Sequence, residues 1–359
     1  VLKYTFNIAN KLNHHLKYNM TTLTTPSNAL NLPIQNIATF EITGIDATQF
    51  LQGQLTQDVL HWQPNEIKRA AWCNVKGRMI ASFYIWQIDN GFRLLVAQDL
   101  IHKVLPKLRL FVLRAKVLIS EPLAINWFIT HSDTTHLTHT TVQQSGSYTT
   151  LNLLAKNSYT PYSLALTNIP NQNDFKYSFC SWNLAHIQTG TAWIDASNTE
   201  KFVPQSINFE LINGVSFRKG CYPGQEVIAR SQYLGKLKQR AAIATLASIP
   251  TQQILEILLN NNQIDIFDSE QAHNPIGKVI LLSQSVTDVW VLFTTSSIND
   301  IDNIKNNIIA DTINKPSSTF YISISLNDLN TAIEPSNQTM FISKLNILPL
   351  PYSITDITK

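Results

Sequence analysis

Ser216-Phe217-Arg218-Lys219-Gly220-Cys221-Tyr222-Pro223-Gly224-Gln225-Glu226-Val227-Ile228-Ala229-Arg230 decides how this chain is read. Only 11 glycines occur in 359 residues, yet Gly214, Gly220, Gly224 and Gly235 fall within one short stretch. Glycine permits positive φ and close approach of another backbone or a ligand. Cys221 lies between two of these glycines, directly after Arg218 and Lys219, and cationic neighbours favour a thiolate. Pro223 suits a first helical position, and Gln225–Arg230 continues with helix formers and an early acid. That spacing predicts a helix from Pro223 with Cys221 at its N-terminus, where the backbone dipole favours an anion. Local chemistry alone leaves two readings open: a reactive thiol, or a cysteine that packs beside a tight turn.

Upstream, Asp46-Ala47-Thr48-Gln49 reads as a capped helix start, and Leu51, Leu55 and Val59 extend one apolar stripe. Strands at Ala70–Cys73 and Met79–Ile85 flank a glycine turn, Asn74-Val75-Lys76-Gly77-Arg78, as a hairpin. Phe92–Val96 reads as a third strand. A helical region from Asp99 is expected to break or restart at Pro106. Strands are expected at Lys116–Ile119, Ile125–Ile129, Tyr148–Leu154 and Tyr162–Leu166, with the threonine-rich segment between the middle two as loop. A helix over Ser178–Thr189 is closed by Gly190. Beyond Lys238, short strands at Gln239–Leu246, Gln263–Phe267, Lys278–Leu282, Val289–Phe293, Phe320–Ser325 and Met340–Leu345 suggest a small barrel or sandwich. Asn260–Asn262 reads as polar loop, and Asn299–Asn307 as loop or a short helix.

A hydrophobic content of 44% with 14% charged residues marks a globular chain with a sizeable core. The net charge of +3 does not by itself argue for nucleic acid. Cys73, Cys180 and Cys221 are odd in number and far apart, which speaks against a disulfide framework and suits a reducing, cytoplasmic setting. No Cys-x-x-Cys pair occurs, and His131, His136 and His139 sit in polar sequence that fixes no ligand geometry, so no metal site is expected. No apolar run reaches membrane-spanning length. Residues 1–19 read as a leader or a disordered tail ahead of Met20.

Lys219-Gly220-Cys221-Tyr222-x-Gly224-Gln225-Glu226 resembles the signature of the YgfZ family of folate-binding proteins. These are related to the aminomethyltransferase (T-protein) of the glycine cleavage system. The resemblance extends to Gly44–Ala47, Phe50–Val59, Lys76–Met79, Ile194-Asp195-Ala196, Phe202–Gln205, Asn208 and Pro349–Ser353. It covers about residues 35 to 353 and is weakest between 120 and 170. It implies an α+β, ring-like three-domain fold around a folate-sized hole, with a C-terminal β-barrel. The implied division is a leader over 1–30, a first α+β domain over 31–119 and 190–238, a second over 120–189, and the barrel and tail over 239–359.

The implied cofactor is tetrahydrofolate or a one-carbon derivative. A flat pterin calls for stacking surfaces and a few aligned polar groups. Trp182 lies in a segment similar to one that bears a folate-contacting tryptophan; the other reading is a core tryptophan on a helix face. A second tryptophan of the family is replaced by Ile37. The resemblance assigns Cys221, Lys219 and Glu226 to the chemistry. It assigns Trp182, Asp195, Gln205, Asn208, Tyr222, Gly224, Gln225 and Arg230 to folate. Two basic runs, Arg218/Lys219/Arg230/Lys236/Lys238/Arg240 around Glu226 and Lys103/Lys107/Arg109/Arg114/Lys116, suit a glutamyl tail, RNA phosphates, or plain solvation.

The T-protein acts through an aspartate pair after its hairpin turn. Here Lys76–Ser82 has Ala81, which cannot move a proton. The resemblance therefore points to a folate-binding accessory protein that supports iron–sulfur enzymes or cluster carriers, and through them tRNA modification. The alternative is a one-carbon transferase with Glu226 or Asp195 as base. A direct RNA-binding module ranks last.

Overall fold

The structure is a computed structural model that describes residues 34–63, 65–132, 141–145, 148–154, 163–168, 182–234, 237–260, 264–285, 287–296, 319–325 and 340–352. The leader reading, His136, His139, Cys180, Gly235, Lys236, Asn261, Asn262, Asn299–Asn307 and Ser353 lie outside the described residues.

The first sheet has strand order β2-β3-β4-β1-β5. Its strands are β1 (Ile37–Thr43), β2 (Ile67–Cys73), β3 (Met79–Ile88), β4 (Gly91–Ala97) and β5 (Leu118–Ile119). The hairpin read from sequence is present, with Gly77 at φ +71° in its turn. β3 is buried without a break from Met79 to Trp86. Such a run is what a strand covered on both faces requires, in place of apolar–polar alternation.

α1 (Ala47–Gln52) is shorter than its apolar stripe suggested, because the chain turns at Gly53. Leu55 instead bridges to Trp72, and Leu51, Leu55 and Val59 are all buried. Asp46 makes no side-chain cap; its Oδ2 accepts the Lys116 amide at 2.7 Å. α2 (Ile101–Leu110) follows a 3-10 turn and runs straight through Pro106. Pro106 and His102 both face solvent, so the carbonyl that loses its partner stays hydrated.

A second sheet has order β6-β9-β8-β7, from β6 (Phe128–Ser132), β7 (Thr141–Ser145), β8 (Tyr148–Leu154) and β9 (Ser163–Thr167). β7 corrects the loop reading. Its threonine-led start, Thr141-Val142, suits an edge strand, and Val142 is buried against the first core. His131 lies in β6. No group of three metal-ligating side chains occurs among the described residues.

Helices α3 (Trp182–Gln188) and α4 (Gln225–Tyr233) precede the barrel. The barrel closes in the order β10-β13-β12-β11-β14-β15 and back to β10. Its strands are β10 (Arg240–Leu246), β11 (Asp265–Phe267), β12 (Gly277–Gln284), β13 (Val289–Thr295), β14 (Phe320–Ser325) and β15 (Met340–Leu348). Closure, not a sandwich, removes its sheet edges. The sequence reading missed α5 (Gln252–Asn260), whose Leu255, Ile257 and Leu258 are buried in the barrel core. β10 serves two cores by its period of two. Ala242 and Ala244 face the barrel interior, while Ala241 and Ile243 join the core of the first sheet.

Candidate functional site

The cysteine loop is anchored before it begins. Thr56 Oγ1 donates to the Gly214 carbonyl at 2.7 Å and accepts the Ala71 amide at 2.8 Å, while the Ser216 amide donates to the Thr56 carbonyl at 2.9 Å. Gly214 has no room for a side chain, since a Cβ there would lie 2.2 Å from the Phe209 ring. The start of the loop is therefore held on Thr56, and through Thr56 on Ala71 of β2, by buried hydrogen bonds.

Lys219 turns inward. Its Nζ donates to the Gln52 carbonyl at 2.6 Å and to the Leu55 carbonyl, and sits 4.9 Å from the Tyr222 ring centroid. Burial pushes this ammonium down to about 8. The sequence placed the Lys219 charge beside the thiol; the structure engages it on carbonyls at the end of α1. Tyr222 is also buried, and burial raises its phenol. Between these two inward side chains Cys221 is exposed, while Cys73 is buried with its thiol pushed far up.

α4 starts at Gln225, not at Pro223. Gly224 is the residue before it, at φ +79°, so Cys221 lies ahead of the helix's first turn and off its end. The residue type at 224 has a further cause. A Cβ there would fall 2.4 Å from the Asn74 carbonyl and 2.7 Å from Gly77 Cα. Gly77 in turn faces Val227 at 3.1 Å and the Gly224 carbonyl at 3.4 Å from an added Cβ. The hairpin turn and the cysteine motif therefore meet backbone to backbone. Gly220, by contrast, has open space and no positive φ, so the loop does not depend on glycine there. Gln225 Nε2 reaches back to the Lys219 carbonyl at 3.4 Å. Glu226, Arg218 and Arg230 are exposed around the loop.

A buried polar group lies behind α4. Gln205 Nε2 donates to the Ile228 carbonyl at 2.7 Å, which ties a 3-10 turn (Pro204–Ile207) to α4. Asn208 sits in left-handed conformation at φ 60° and donates to the Ala241 carbonyl at 3.0 Å and to Tyr352 Oη at 3.3 Å. Arg240 donates to the Gln205 carbonyl at 2.9 Å and to the Glu210 carboxylate. Burial raises the Glu210 carboxyl, and the Arg240 charge opposes that rise. Tyr352, from the tail motif, donates to the Gly190 carbonyl at 2.6 Å. Gln205 and Asn208 thus stand together, joining α4 to the barrel.

Trp182 opens α3 and is buried in an aromatic cluster with Tyr84, His186 and Trp193. Its ring centroid is 4.2 Å from that of His186 and 5.2 Å from that of Trp193. Trp193 stacks on Tyr84 at 5.7 Å. Arg69 lies 5.5 Å from the Tyr84 centroid and donates to the Leu153 carbonyl at 2.8 Å, linking the two sheets. Within these groups, Trp182 Nε1, Trp193 Nε1, Arg69 Nε and Gln205 Oε1 are buried without a hydrogen-bond partner among the described residues. Asp195 is engaged in its own turn. Its Oδ1 accepts from the Ser197 amide at 2.9 Å and the Asn198 amide at 3.2 Å, and burial raises its carboxyl. Sequence reasoning did not single out Arg69, Tyr84, His186 or Trp193. Arg69 and Tyr84 face each other across β2 and β3, a pairing that only the register discloses.

No family model matches the chain. The protein named tRNA-modifying protein YgfZ from Aliivibrio fischeri (strain ATCC 700601 / ES114) is 30% identical over 215 residues, covering 55% of this chain and 65% of that protein. The protein of the same name from Yersinia pseudotuberculosis is 29% identical over 229 residues, covering 58% and 68%. The chain thus spans slightly less than two thirds of the length of the first such relative. Its fold is similar to that of the glycine cleavage system aminomethyltransferase T from Bartonella henselae, with a TM-score of 0.55 over 90% of this chain and 85% of that one, at 9% identity. The resemblance read from the motifs therefore holds in sequence toward YgfZ proteins, and in fold toward the T-protein with its closed C-terminal barrel.

Proposed function

We propose that this protein is a tetrahydrofolate-binding accessory protein in which Cys221 engages iron–sulfur clients, and that tRNA modification depends on it through those clients. The observation that carries the reading is the presentation of Cys221. Lys219 and Tyr222 are drawn inward on either side, and the Cys221 thiol stands in solvent on a loop tied through Thr56 to β2 and packed against the hairpin turn. A merely structural cysteine would be expected in the packing, as Cys73 is.

The donor set fits a pterin. Unpaired indole N–H groups on Trp182 and Trp193 and the unpaired Arg69 Nε supply donors among the described residues, with aromatic rings beside them. Buried polar atoms without partners are rare and call for an explanation such as a bound group. In this reading Trp182, Trp193 and Arg69 hold the pterin, while Gln205, Asn208, Gln225 and Gly224 keep α4 and the cysteine loop in place. Glu226 and Arg230, both exposed, face the client side. When bound, tetrahydrofolate supplies a carrier for a one-carbon unit.

Over transferase chemistry, the geometry favours an accessory role. Asp195 is committed to its own turn, Glu226 lies in solvent, and Ala81 offers no proton-transfer group. The implied division into two α+β domains and a barrel domain belongs to the same proposal.

The test pairs binding with rescue. Wild type and Cys221→Ala are titrated with tetrahydrofolate by tryptophan fluorescence, and both are expressed in cells lacking the protein. Both are expected to bind, and only wild type is expected to restore iron–sulfur enzyme activity. Full rescue by Cys221→Ala removes the thiol from the mechanism. Absence of saturable quenching in wild type removes folate.

A further inference from the structure

A cleft of about 430 Å³ lies between the first sheet and the barrel, and its lining includes none of Trp182, Trp193 and Arg69. One wall is Arg78, which follows the hairpin turn, and the segment Glu200-Lys201-Phe202. The other is the barrel, through Gln239, Lys278 and Thr294. Three cations, Arg78, Lys201 and Lys278, therefore line it against one lining carboxylate, Glu200, while Lys278 Nζ also pairs with Asp265 at 3.2 Å from the barrel side. The Glu200 carboxylate is already engaged: Asn74 Nδ2 donates to it at 3.0 Å and Lys103 Nζ at 3.1 Å. Among the described residues, the side chains of Lys201 and Gln239 have no hydrogen-bond partner. Arg78 uses one nitrogen on the Lys201 carbonyl.

The backbone here is bent in a way that chain connectivity alone does not demand. Glu200 holds φ +60°, the left-handed region, fixed by its amide on the Met79 carbonyl at 2.7 Å. A non-glycine residue in that region costs on the order of 1 kcal/mol and persists where surroundings enforce it, often at binding sites. The amide of Met79 donates to the Phe202 carbonyl at 2.8 Å, which lays Lys201 between two fixed points. The aromatic lining residue Phe202 is only 5% exposed, so the cleft offers no ring for a base or pterin to stack on.

We infer that this cleft binds a multivalent oxyanion without an aromatic ring, an oligophosphate or an oligocarboxylate, gripped by Arg78 and Lys201 on one wall and by Lys278 on the other. Arginine and lysine recognise both kinds of oxyanion through charge-assisted hydrogen bonds. Placing cations on opposed walls favours a ligand with two or more charged groups over a single ion. A bound ligand would bridge the α+β part and the barrel.

Calorimetric titration of the full chain with pyrophosphate, and separately with citrate, at 0.15 M salt tests this. At least one probe is expected to bind one to one, with affinity lowered about tenfold by Lys201→Gln and further by Lys278→Gln. Lys201→Arg should keep the affinity, and Lys116→Gln should not change it. Binding of pyrophosphate alone assigns phosphate, and of citrate alone carboxylate; binding of both assigns a general oxyanion site. No saturable binding of either probe overturns the inference, and so does binding that the Lys201→Gln/Lys278→Gln double variant keeps within twofold. Among the described residues Lys201 makes no side-chain hydrogen bond, so its substitution is expected to leave folding intact, and thermal melting checks this.

Discussion

His186 has the most constrained chemistry of any residue here. It is fully buried, with Nδ1 2.9 Å from the Trp182 carbonyl and Nε2 3.1 Å from Tyr84 Oη. A carbonyl only accepts, so Nδ1 carries the proton and Nε2 accepts from Tyr84. Burial pushes the imidazole down to about 3. The unfolded chain takes up a proton near pH 6.5, and the folded chain does not until about pH 3. Stability from this residue is therefore full above pH 6.5 and declines as pH falls between those two values. Urea unfolding at pH 7 and pH 4.5 should show wild type losing about 2 kcal/mol more than His186→Gln. Equal losses in the two proteins would show that His186 is not held neutral.

At the scale of elements, the contact that matters is the one between the hairpin turn and the start of α4. Gly224→Ala should cost about 2–3 kcal/mol, because the new methyl meets the Asn74 carbonyl and a left-handed backbone together. Urea unfolding measures it, and a cost below ~0.5 kcal/mol would refute the backbone contact. Gly220→Ala, which meets open space, should cost far less. The sequence disclosed the hairpin because glycine and alternating apolar residues mark it locally. It disclosed the cysteine motif through its clustered glycines and the cations beside Cys221, which are local features too. It did not disclose where α4 begins, because Pro223 fits a first helical turn as well as the turn before one. Nor did it disclose that Lys219 points inward: its partners are the carbonyls of residues 52 and 55, far away in the chain. α5 was legible in the apolar spacing of Ile254, Leu255 and Leu258, but its flanking asparagines read as loop. The Arg69–Tyr84 cluster was not legible, since its members come from β2, β3, α3 and the segment after it.

For the whole molecule, the junction of the α+β part with the barrel is set by Arg240 and Glu210, whose side chains are 4% and 3% exposed. Arg240→Leu should destabilise by about 3–5 kcal/mol, since it strands a buried carboxylate. Adding Glu210→Leu should recover most of that loss, as measured by thermal and urea unfolding. Additive losses would mean that the pair is not coupled. The barrel also sets an order on how the chain is made. β10 is emitted by the ribosome about a hundred residues before its neighbour β15, and until residues 345–348 emerge its Ile243–Leu246 edge has no mate. Tyr352, which fastens Gly190 and Asn208, arrives later still. From about residue 246 until residue 348 a nascent chain therefore carries an open, apolar seam, and vectorial translation makes β15 the strand that seals it.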